Sequence, residues 1–182
     1  MPNPDNKITL LLAPDTMHAQ CLSIIQQARN TSHALASLIA LQSFVIAMAQ
    51  EADIESAAFR VIKGIINGHI ANLRAELLGE QASAVTAALL ATDCTAITRI
   101  HADTSRNAFW QATQTATLTL SKTERSRISE WAQTWHNDAK SRALAASGYP
   151  DALNFQKAGI SPQEYAAMTD LNNCLQNTNV QI

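Results

Sequence analysis

"TQTATLTLS", residues 113–121, places a hydroxyl residue at every odd position: Thr113, Thr115, Thr117, Thr119 and Ser121. Strict alternation is the mark of a half-buried strand, and threonine favours strands. A strand needs a partner, and the one other candidate is Ile8 to Leu12, far away at the N-terminus. Read at helical spacing, Phe109, Ala112, Thr113, Ala116, Thr117 and Leu120 share one face. Threonine methyls can pack there while their hydroxyls bond to carbonyls one turn back. "SKTE", Ser121 to Glu124, then has the pattern of a capping box that opens a new helix. The stretch is therefore predicted to end one helix and cap the next, which makes the chain all-α.

Working outward, the rest of the 182 residues agrees. Only five glycines and five prolines punctuate the chain, and abundant Ala, Leu and Gln favour long helices. Asp15 is a candidate cap for a first helix to about Arg29. Asn30, Thr31 and Ser32 offer a break and a second cap. The next helix, to about Gln50, carries Leu35, Leu38, Ile39, Leu41, Val45 and Ile46 nearly all round, which predicts the centre of a bundle. A third element starts at Asp53, with Glu51, Asp53 and Glu55 suiting a helix start and Gly79 as its natural stop. "IINGHI", residues 65–70, contains the Asn-Gly hairpin signal, but the 3.6-residue period persists on both sides and favours helix. Helix continues through 80–101 with an interruption near Thr92-Asp93. Another helix follows Asp103, and one from Lys122 runs to about Ala146 and Gly148. Asp151 caps a short helix ended by Gly159. "SPQE", Ser161 to Glu164, is a helix start with Ser as cap and Pro at the first position.

The expected architecture is a single-domain helical bundle of about six to eight helices with a short C-terminal helical hairpin. Its parts are an extended arm over 1–14, the bundle over 15–147, the hairpin packed on it over 148–176, and a disordered tail over 177–182.

Composition bounds function. Charged residues are 15% and hydrophobic residues 47%, with a net charge of −2. The charged share is low for a globular domain, so the polar surface is largely Gln, Asn, Ser and Thr. That surface suits self-association or a partner, and the charge balance argues against nucleic acid. Cys21, Cys94 and Cys174 are sparse and odd in number, which points to a reducing compartment rather than a disulfide framework. The apolar run Ile8 to Ala13 is too short for a signal-peptide core. With a buried helix explaining the apolar window Ala34 to Ala49, a soluble cytoplasmic protein without a membrane partner is expected, with export by a route lacking a cleavable signal as the alternative.

No catalytic motif emerges. The five histidines, His18, His33, His69, His101 and His136, never stand three or four apart. No Glu-x-x-His, Cys-x-x-Cys or His-Glu-x-x-His pattern occurs, so no metal, cofactor or catalytic residue is assigned. His18 and Cys21 share a helix face, and His101-Ala-Asp103 could orient an imidazole.

Three groups remain as candidates. Arg127, Trp131 and Trp135 form an i, i+4, i+8 row that reads as partner-binding, since Trp and Arg dominate hot spots; core anchoring is the competing reading. Ala57, Val61, Gly64, Gly68 and Ala71 form a small-residue seam for helix packing or a dimer. His69, Thr113 and Thr117 are the candidate ligand pocket. The expected function is a non-catalytic interaction protein of the adaptor, chaperone or inhibitor type, bound to another protein or to itself as a homo-oligomer. The alternative is a helical small-molecule or cofactor binder, an enzyme included. A third reading, nucleic-acid binding by Lys122, Arg125, Arg127, Lys140 and Arg142, is offset by Glu124, Glu130 and Asp138.

Overall fold

The computed structural model describes residues 13–51, 57–147 and 152–179. Among these, eight α-helices and no strand are present: α1 (Pro14–Gln27), α2 (Thr31–Glu51), α3 (Ala57–Leu90), α4 (Cys94–Asp103), α5 (Arg106–Thr119), α6 (Lys122–Ser147), α7 (Ala152–Lys157) and α8 (Pro162–Asn179). The protein is all-α. Its contacts gather into two compact units, divided within α3 between Leu77 and Leu78.

Local chemistry sets most helix ends. Pro14 fills the first position of α1, and Ala13, not Asp15, is the N-cap residue. Asn30 Oδ1 accepts the His33 amide at 2.8 Å and opens α2. Asp93 caps α4 by accepting from Ala96 N at 3.0 Å, and Ser105 caps α5 through Ala108 N at 3.2 Å. The capping box at Ser121 is reciprocal: Ser121 N donates to Glu124 Oε2 at 2.8 Å and Glu124 N donates to Ser121 Oγ at 3.3 Å. Residues 113–119 are the last turns of α5, so the helical reading of the opening stretch holds. Gly159, at φ +77°, ends α7, with Ile160 N donating to Phe155 O at 2.9 Å.

Several expectations are corrected. Gly79 does not stop α3, which continues to Leu90; Asn67-Gly68 lies within that helix, as the persisting 3.6-residue period predicted. The helix stops at Thr92, where φ is 50°, with Asp93 N donating to Ala88 O and Thr92 N to Leu89 O. This is a Schellman closure on a residue other than glycine. Helix α8 runs through Asn179, so 177–179 are helical rather than tail. The arm up to residue 12, the acidic bunch at 51–55 as side chains, and the turn at 148–151 lie outside the described residues.

In the N-terminal unit, Met17 and Cys21 of α1, Leu38 and Val45 of α2, and Ile62 and Ile66 of α3 are buried together. In the C-terminal unit, α8 does more than pack against a finished bundle. It contacts α4, α5, α6 and α7. Its Ala167, Met168, Leu171 and Cys174 have no exposed surface. Each such Leu or Met contributes roughly 1.5–3 kcal/mol. That apolar face is committed to the unit's own core. A smaller cluster joins Ala139 and Ala143 of α6 to Phe155 and Ile160.

Candidate interaction surface and polar clusters

Helix α2 contains no Asp, Glu, Lys or Arg from Thr31 to Gln50. By length and composition it could cross a membrane, and only 22% of that window is buried. It is therefore not the encircled centre of a bundle. Ala34, Leu38, Val45 and Ala49 face the core, while Ala36, Ile39, Ala40, Phe44 and Ala47 lie outward. Phe44 is 60% exposed. An apolar, charge-free outer face is the informative kind of surface.

The seam on α3 also faces outward. Ala57, Val61, Gly64, Gly68 and Ala71 are all exposed, with Val61 at 50%. At 100° per residue they stand opposite the buried Ile62, Ile66, Ile70 and Leu73. A Cβ added at Gly64 or Gly68 would meet nothing within 4 Å. Among the described residues, none packs against the seam at Gly64 or Gly68. Gln42 of α2 donates to Asn67 Oδ1 of α3 and holds the two helices side by side.

The Arg127, Trp131, Trp135 row has structural employment. Arg127 Nη2 donates to the carbonyl of Leu90 at 3.0 Å, closing the C-terminus of α3. Both indoles are half-buried against the main core of the C-terminal unit, and Trp135 also touches the smaller cluster. Arg142 likewise donates to Ala158 O at 2.7 Å, at the end of α7. Two cations of the α6 series are thus spent on the protein's own carbonyls.

The strongest polar cluster is one that the sequence reading missed. Asp170 of α8 is buried, and its carboxylate accepts Arg106 Nε at 2.9 and 3.1 Å and Arg106 Nη2 at 2.6 Å. His101 Nε2 lies 3.0 Å from its second oxygen, with the ring edge-on to Phe109. Burial pushes the Asp170 carboxyl up, but the hydrogen bonds from Arg106 and His101 and their charge outweigh it and hold it below the ordinary value. His101 is thus paired with Asp170 rather than with Asp103. The signal was present: Asp170 falls three after Ala167 and four before Cys174, on the apolar stripe of α8. Beside it, Arg106, Asn107 and Trp110 line an open surface depression of about 310 Å³.

Of the candidate pocket residues, His69 belongs to the N-terminal unit, and Thr113 and Thr117 to the C-terminal one. Both threonines are buried, with hydroxyls donating to Phe109 O at 2.8 Å and to Thr113 O. His69 Nε2 instead lies 3.1 Å from His18 Nδ1, joining α3 to α1. His33 Nδ1 accepts the Arg29 amide. His136 is buried with Nδ1 unpaired, its ring stacked on Tyr165 at 5.9 Å. Burial, then the charge of Lys140, lowers its pKa.

None of Cys21, Cys94 and Cys174 forms a disulfide. Cys94 Sγ donates to Glu164 Oε1 at 3.4 Å, and burial together with that hydrogen bond and charge pushes its thiol up to about 12. A nucleophilic thiol needs the opposite environment. Among the described residues no group of three or more His, Cys, Asp or Glu is placed to hold a metal ion.

Comparison with protein-family models, curated proteins and solved structures returns no match.

Proposed function

We propose that the chain is a non-catalytic helical interaction protein, acting in the cytoplasm through the outward faces of its N-terminal unit. The observation that carries the reading is the charge-free outer face of α2, with Phe44 60% exposed. Proteins rarely leave such faces uncovered unless a partner covers them.

A second copy of the chain is the partner that the pattern on α3 fits. In an antiparallel two-fold arrangement the same patch meets itself. Centred on Gly68, Val61 faces Ala75, seven residues either side. Both are exposed, and the small residues between them let the backbones approach. Three cysteines without a disulfide fit a reducing cytoplasm.

An introduced charge pair tests this register. Val61→Glu alone and Ala75→Lys alone weaken self-association in sedimentation velocity, and the double variant restores it. Single variants that associate like the parent chain, or a double variant that stays as weak as the singles, contradict it.

A further inference from the structure

The His18–His69 pair is used by neither surface. His18 stands on the exposed side of α1, and His69 is half-buried on α3. Their facing nitrogens, Nδ1 and Nε2, are 3.1 Å apart and the ring centroids 4.9 Å. Two imidazoles bonded to one ion at 2.0–2.1 Å place their nitrogens roughly 2.9–3.4 Å apart for angles between tetragonal and tetrahedral. Imidazole is a donor of choice for the later first-row divalent ions. The two residues stand 51 apart in sequence and are brought together by the packing of α1 on α3.

We propose that His18 and His69 form a two-imidazole site for a divalent late-transition-metal ion, with water completing the coordination. The site needs both rings neutral. Burial, then the neighbouring His18, holds His69 below its ordinary value, so it is an unprotonated donor at neutral pH. In the free protein one ring donates its N–H to the other. When the ion binds, that proton leaves the facing nitrogen and the ring takes its other tautomer through solvent. No net proton is released while both rings are neutral. Asp15, exposed one turn before His18, is the nearest acid along α1 and adds favourable potential. The bound ion would clamp α1 to α3.

Calorimetric titration of the full chain with Ni²⁺ at pH 7.5 tests this. One saturable ion per chain is expected. His18→Gln and His69→Gln each weaken uptake at least tenfold, and His33→Gln leaves it unchanged. Uptake is lost as pH falls below the ordinary imidazole range. Absence of saturable uptake, or uptake unaltered in both His18→Gln and His69→Gln, overturns the proposal. If His69→Gln loses helical circular dichroism, His18→Gln, at an exposed position, decides the matter.

Discussion

Asp170→Asn keeps the shape of the side chain and removes its charge. Asp170 ties α8 to α4 and α5 by accepting from His101 and from both Nε and Nη2 of Arg106. A carboxamide accepts through one oxygen only and turns an amide donor toward these donors. A wholly buried pair broken in this way costs about 3–5 kcal/mol. Here the Arg106 side chain is 70% exposed, so water replaces part of what it loses. The hydrogen bonds that a buried carboxylate takes from charged donors set the remainder, about 2 kcal/mol. That corresponds to a melting midpoint lower by roughly 4–8 °C. The sign with pH follows from the lowered carboxyl value. Its contribution is present in full above the unfolded value of about 3.9 and is lost as pH falls through the folded value below it. Urea unfolding followed by tryptophan fluorescence should show a gap between parent and variant at pH 7 that closes toward pH 3. Equal stability at pH 7, or a gap that is the same at pH 3, would refute the assignment.

Thr92 carries a left-handed backbone with a β-branched side chain. Thr92→Gly is expected to raise stability by about 1 kcal/mol, the order of the steric cost relieved, measured by thermal melting; a lower midpoint would show that the Thr92 hydroxyl bond to Ala91 O matters more. Cys94, with its thiol pushed up to about 12 by burial and Glu164, should resist iodoacetamide at pH 8 in the native protein. Glu164→Gln should speed its alkylation, read by intact mass, whereas prompt labelling of the parent chain would contradict the pairing.

Helix ends were legible because their chemistry is local. Asn30, Ser121 with Glu124, and Ser161 with Pro162 act on amides within three residues, so the sequence window contains the whole interaction. The threonine stretch resolved for the same reason, since Thr113 bonds within its own helix. What stayed hidden depends on distant partners. Asp170 meets residues 64 and 69 positions away, and His18 meets His69 across 51. Periodicity shows which face is apolar, not whether anything covers it. An all-round apolar α2 therefore read as a buried centre, although its Phe44 face lies open. The same limit applied to α6, where Arg127 and two tryptophans share a face but only the fold reveals that Arg127 closes α3.

The central claim is that the outward seam of α3 joins two copies. Gly68 is the probe, because it is exposed and a Cβ added there meets nothing within 4 Å. Native mass spectrometry of the full chain should give twice 19.7 kDa, and Gly68→Phe should give 19.7 kDa with unchanged helical content. A parent chain at 19.7 kDa, or a Gly68→Phe variant that still pairs, would contradict it.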